Sequence, residues 1–283
     1  MAKCFSFYPY RGLLCCCVFY AVEIIKILIK GYNMKLHGAT KQNESVGSDT
    51  GFILYEGESL FDKKPIVGIV TYNTTNKKTG NMAQLWIIRA DIKPNHAVKT
   101  GDDQSVCGGC VHRHNTGGAC YVLPYHAPLA VYNKYKAGGY ADKDNGLAQL
   151  YRLNKGVRLG AYGDPAMLPI EALDELVSAS AFHTGYSHQW QNKRLRHALK
   201  YCNASVDSTN EYYKALSLGI TGTFRVVQTE TDLQINEIEC LADSKGITCA
   251  DCRKCDGSSN VAIMIHGSKA SRFSEKKIDA VNV

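Results

Sequence analysis

The chain has no glycine-rich loop ahead of Lys-Ser or Lys-Thr with which to cradle phosphates, and no local motif of a Ser-His-Asp or Cys-His hydrolase. P-loop phosphoryl transfer is thereby excluded, and nothing points to hydrolysis. Tandem repeats and low-complexity tracts are absent as well, which removes repeat arrays from consideration. Charge of one sign is in slight excess only: 33 Lys and Arg against 26 Asp and Glu give a net charge of +7 and a pI near 8.7. Such an imbalance fits a phosphate-bearing partner and equally fits none. With 45% hydrophobic and 21% charged residues, the 283-residue chain has the composition of a folded protein and the length for one large domain or two small ones.

A long uninterrupted apolar run is also missing. Leu13 to Ile29 is apolar apart from Glu23 and Lys26, with Lys3 and Arg11 ahead of it. Two charges inside so short a run disfavour a spanning helix, and no small-x-small cleavage site follows Leu13 to Val22. Lys30-Gly31-Tyr32-Asn33 back-translates to a purine-rich ribosome-binding sequence just before Met34. Residues 1–33 therefore read as a mis-assigned upstream extension or a cleaved leader. No stable membrane association is expected, and the compartment is a reducing cytoplasm.

Cysteine is what the chain has in quantity, twelve in all. Cys4, Cys15, Cys16 and Cys17 belong to the leader; of the rest, only Cys202 lies outside two groups. The first group is Cys107-Gly-Gly-Cys110-Val-His112-Arg-His114, continuing to Cys120-Tyr121. The second is Cys240 with Cys249, Cys252 and Cys255. In a reducing compartment, cysteines this close together point to metal ligation rather than disulfides. The tight run ending at Cys255, with Cys240 as fourth thiolate, suits a 4Fe-4S cluster, while four cysteines also satisfy tetrahedral zinc. Cys107, Cys110 and Cys120 leave a fourth position that either His112 or His114 fills, as in a zinc site, or that stays open to substrate.

The rest alternates between strand and helix signals. Pro65 to Tyr72 and Ala83 to Arg89 read as paired strands, and Asp91 to Ser105 as a loop. Helices are expected from Pro128 to Gly138, from Pro169 onward, over the basic stretch Asn192 to Tyr201, and from the capping box Ser208 to Glu211 up to Gly219. Strands are expected at 156–162, 182–186, 202–206, 223–228 and 261–266. Repeated βα units imply an α/β fold with a mostly parallel sheet, either open and doubly wound or a partial or complete (β/α) barrel, carrying Cys-rich metal-binding insertions. The expected divisions are N-terminal strands and a loop at 34–104, an α/β cysteine-cluster domain at 105–270 and a polar tail at 271–283. In such folds ligands sit at the carboxyl ends of the strands. Asp164, His183, His188, Asn203, Asp207, Arg225, Gln228 and His266 are the polar residues read at those ends.

Cys120-Tyr121, Arg158-x-Gly-x-Tyr-Gly-Asp164, Thr184-Gly-Tyr-x-His-x-Trp190 and Thr248-Cys249-x2-Cys252-x2-Cys255 occur in that order between Ser105 and His266. In this combination the chain resembles phage proteins of the mycobacteriophage gene product 88 family, themselves similar in outline to radical S-adenosylmethionine barrels. The resemblance implies a catalytic 4Fe-4S cluster on Cys107, Cys110 and Cys120 and an auxiliary one on Cys240, Cys249, Cys252 and Cys255. It further implies S-adenosylmethionine and a small-molecule or nucleic-acid-derived substrate at a mouth lined by catalytic Asp164, His188 and Arg225 and cofactor-binding Asn203 and Gly163. The cysteine intervals, two and nine, differ from the three and two usual in those enzymes. The alternative expectation is a non-catalytic zinc protein that contacts nucleic acid through Lys193, Arg194, Arg196 and Lys200, with Trp190 and Tyr201 stacking on bases.

Overall fold

A computed structural model describes residues 50–266 and 270–273. The expectations for residues 1–33 and for the tail beyond 273 lie outside the described residues. Three antiparallel strands come first: β1 (Gly51–Glu58), β2 (Pro65–Thr71) and β3 (Ala83–Arg89). Four helices follow, α1 (Pro94–Thr100), α2 (Gln104–Cys107), α3 (Ala127–Lys136) and α4 (Lys143–Leu153). Beyond them lie β4 (Val157–Tyr162), α5 (Ile170–Ser178), β5 (His183–Ser187), β6 (Asn203–Val206), α6 (Thr209–Ser217) and β7 (Thr223–Val227). The described chain closes with β8 (Ile238–Glu239), α7 (Leu241–Ser244), α8 (Cys249–Cys252) and β9 (Val261–Met264).

All the strands share one sheet in the order β1-β2-β3-β4-β5-β6-β7-β9-β8, parallel from β3 onward. The protein is thus an α/β fold with a mostly parallel sheet. A doubly wound sheet reverses strand order at a switch point; here the order follows the chain without reversal from β1 to β7. The sheet has edges at β1 and β8, so a complete barrel is not formed. The boundary expected at 104/105 does not divide the sheet: β3 pairs directly with β4, and one buried cluster runs from Phe52 and Ile66 to Leu159, Leu176 and Cys202.

Local signals explain most of the helices. Pro128 lies in the first turn of α3, Pro169 precedes α5, and the Ser208 hydroxyl accepts from the Glu211 N–H at 3.1 Å to open α6. Two expectations fail. The stretch read as a loop at 91–105 holds α1, which Pro94 starts and Gly101, in the left-handed region, stops. The basic stretch 192–201 is not an α-helix but a short 3-10 segment, Arg196–Lys200, with Leu195 and Ala198 buried beneath it. Strand β1 and helix α4 were not foreseen. Among the described residues no helix is long and apolar enough to cross a membrane.

Helix α4 lies against β1 through Gly146, where an added Cβ would stand 2.0 Å from Cγ of Phe52. Alanine in place of glycine inside a helix ordinarily gains about 1 kcal/mol, but forcing atoms into a filled core costs about 1–3 kcal/mol. Packing should win. We expect Gly146→Ala to lower stability by up to about 2 kcal/mol, read as a lower urea midpoint at unchanged slope.

Candidate functional site

The carboxyl ends of three neighbouring parallel strands bring the central residues together. Asp164 follows β4, His188 follows β5 and Asp207 follows β6. The Asp164 carboxylate accepts from Ser187 Oγ and the His188 N–H, both at 2.8 Å, and from the Ala166 N–H at 3.0 Å. Burial pushes its pKa up, against those bonds. Asp164 therefore ties the end of β4 to the end of β5.

Imidazole His188 is the hub. Burial works to lower its pKa, but the neighbouring Cys110 sulfur and Asp207 carboxylate outweigh it and hold the value well above the ordinary one. Asp207 Oδ1 stands 3.8 Å from His188 Nε2 and 2.7 Å from His112 Nε2. Its carboxyl lies well below the usual range: burial opposes ionisation, and the two imidazoles overcome it. His112 is oriented by a stacked Phe273 ring at 5.7 Å and meets the His188 ring edge-on at 5.6 Å.

The first cysteine group forms a clamped loop over these strand ends. Gln189 Nε2 donates to the Cys107 carbonyl at 3.1 Å, and the Gly109 N–H donates back to Gln189 Oε1 at 3.2 Å. Gly108, at φ 57°, has no room for a side chain, since a Cβ would meet Gln189 Oε1 at 2.5 Å. Farther along, Arg113 donates to Asp103 and to the Gly101 carbonyl at 2.7 Å each, and the Cys120 N–H donates to the His112 carbonyl at 3.0 Å. Burial raises the Cys107 thiol pKa strongly, and Cys110, Asp103 and Cys120 add to it, so the three sulfurs sense one another. The Tyr162 hydroxyl is buried with no hydrogen-bond partner, in the field of Cys107, Asp103 and Cys120. An orphaned donor beside thiols fits a site meant to hold an acceptor-rich group.

All four cysteines of the second group line one pocket, together with Thr184, Tyr186 and Arg253. Four separate backbone contacts assemble it. The Cys240 N–H donates to the Ala262 carbonyl at 2.7 Å, the Cys249 N–H to the Lys78 carbonyl at 2.9 Å and the Ala250 N–H to the Thr79 carbonyl at 3.1 Å, while the Cys255 carbonyl accepts from Gly185 at 2.8 Å. The Cys255 thiol is pushed up to about 12, by burial first, although the neighbouring Tyr186 hydroxyl pulls the other way. None of the eight described cysteines is in a disulfide.

Other expected site residues have structural partners instead. Arg225 lies within β7, and its guanidinium makes a two-pronged bond to Glu237 at 2.9 and 2.6 Å, with further bonds to the Asp232 carbonyl and Thr209. Asn203 donates to the Thr223 and Ser259 carbonyls and accepts from the Gly257 N–H, each at 2.8 Å, tying β6 to the loop after Cys255. Gly163, at φ 81°, packs so tightly that a Cβ would stand 2.6 Å from the Ile87 carbonyl oxygen. His183 begins β5 rather than ending it, and His114 is bonded to the Val122 carbonyl. Of the basic stretch, Lys193 and Arg194 are exposed, Arg196 donates to the Trp190 carbonyl and Lys200 pairs with Asp174, while Trp190 is only 1% exposed and offers no stacking face.

Comparison with family models, with curated proteins and with solved structures finds no match. Nothing in the sequence pairs His112 with Asp207. The signals were present, a histidine in the cysteine loop and an aspartate at a strand end, but their meeting requires the fold.

Proposed function

We infer that this chain is an iron-sulfur protein with two thiolate centres, built on a partial barrel. The observation that carries the reading is the convergence of Cys240, ahead of α7, Cys249 and Cys252, at the two ends of α8, and Cys255, just beyond it, on one pocket. Cys107, Cys110 and Cys120 would hold the second centre, and it is the reactive one. Their fourth ligand position has no cysteine. A singly wound parallel sheet is the arrangement from which partial barrels are made, and it supports the same reading.

Cluster is favoured over zinc by the spacing. A tetrahedral zinc with bonds of about 2.3 Å would hold sulfurs about 3.8 Å apart. Among the described residues the cysteines form no trio within 4.8 Å. Thiolates on different irons of one cluster suit that wider arrangement.

When bound, a cluster supplies one-electron transfer. The protein's own groups then tune and position it. Tyr186 lines the same pocket as Cys255, and the buried Tyr162 hydroxyl is a donor in the field of Cys107 and Cys120; hydroxyls that bond to sulfur would tune reduction potentials. Gln189 fixes the loop that bears Cys107 and Cys110.

Radical chemistry on S-adenosylmethionine is the finer form of this proposal. Asn203, Arg225 and Gly163 would serve it only as parts of the fold, so the cofactor's polar groups would fall to His188 and its neighbours at the mouth. The bacterial cytoplasm, where thiols stay reduced, is part of the same proposal. Anaerobically purified protein is expected to be brown, with iron and acid-labile sulfide and an electron paramagnetic resonance signal on reduction. Colourless protein with stoichiometric zinc would overturn the cluster reading.

A further inference from the structure

We propose that His112, His188 and Asp207 form a mononuclear site for a divalent first-row transition ion, with ligands distinct from the thiolates of the first cysteine group. One ligand atom from each residue lies within 4.8 Å of the other two, and the three side chains are each partly buried. They come from three parts of the chain: the cysteine loop, the end of β5 and the end of β6. That is the carboxyl edge of the parallel strands, where ligands of such sheets gather.

The dimensions suit an ion. Bonds of about 2.0–2.1 Å in a tetrahedral arrangement set neighbouring ligand atoms about 3.3 Å apart. The separations from Asp207 Oδ1, 2.7 Å to His112 and 3.8 Å to His188, bracket that value. Small side-chain rotations would equalise them. Two neutral imidazoles and one carboxylate leave one negative charge, which a divalent ion more than balances, and the donor types select zinc, iron(II), cobalt or manganese over calcium. Three protein ligands leave at least one position for water or a substrate oxygen, as in catalytic rather than structural sites.

Supporting contacts hold the ligands in place. Phe273 stacks on His112, and the Asp164 carboxylate grips the His188 N–H. Conserving the ring positions through neighbours of this kind is what makes such sites bind tightly. The 2.7 Å contact between His112 Nε2 and Asp207 Oδ1 already holds two of the ligand atoms together.

The test uses the full chain, anaerobically isolated, dialysed against Zn2+ or Co2+ and counted for metal per chain. His112→Ala and Asp207→Asn are each expected to lose one divalent ion while iron and sulfide stay at the wild-type level. Cobalt in wild-type protein should show ligand-field bands that vanish in His112→Ala. His112→Gln, a milder change in a loop, covers the case in which Asp207→Asn fails to fold. Unchanged divalent counts in the folded His112 variants would overturn the proposal. Because iron is measured separately, failure of the thiolate reading would leave this result legible.

Discussion

Replacing Cys249 and Cys252 together by serine is expected to cut the iron and sulfide of the anaerobic protein to about half, with the signal of the remaining cluster intact. The pair sits at the two ends of α8, in the pocket that also holds Cys240 and Cys255. Two thiolates cannot retain a cluster that four would hold. The reciprocal variant, Cys107→Ser with Cys110→Ser, should remove the other half. Loss of all iron from either pair would mean a single centre, and unchanged iron in both would mean that the thiols are not ligands. The first pair of changes should also loosen the turn between β2 and β3, since Cys249 and Ala250 are bonded to Lys78 and Thr79. Faster proteolytic cleavage in the 73–82 turn would report this.

Arg225→Ala should be the most destabilising single change. The arginine and Glu237 side chains are 1% and 0% exposed, joined at 2.6 Å. Removing one partner leaves the other charge buried and unpaired, which costs about 3–5 kcal/mol, whereas exchanging both for apolar groups of similar volume is often close to neutral. We therefore expect Arg225→Met with Glu237→Leu to recover most of the stability in urea unfolding and to keep the full metal content. A folded double variant that had lost a metal centre would return Arg225 to the functional site. Recovery by the double variant is the mark of a residue that builds the sheet.

Residue pattern made much of the fold legible. Alternating apolar strands and Pro- or Ser-opened helices gave the α/β class, and strands β2 to β7 and β9 fall where that pattern places them. Where it failed, the reason is local. In 192–201 the charged residues suggested a solvated helix, but Asn192, whose side chain accepts from the Arg194 N–H, makes a turn, and Leu195 and Ala198 are drawn into the core. Helix α4 was missed although Asp142 caps it by accepting from the Asn145 N–H at 3.0 Å. Its Gly146 weakens the helical signal, and Phe52 of β1, 94 residues earlier, is what requires that glycine.

For the candidate site, sequence determined which chemical groups are available and in what local order: two runs of closely spaced cysteines, histidines in the first of them and polar residues near strand ends. Such spacing is a one-dimensional property and survives any fold. Which of those groups meet was decided only in three dimensions. Strand order set Asp164, His188 and Asp207 on adjacent ends, and the clamp from Gln189 fixed the cysteine loop beside them, so that His112 reached Asp207. Side-chain alternation along β7 turned Arg225 toward Glu237. Ligation and pairing depend on distances of a few ångströms between residues about a hundred positions apart, which only the packed sheet can fix.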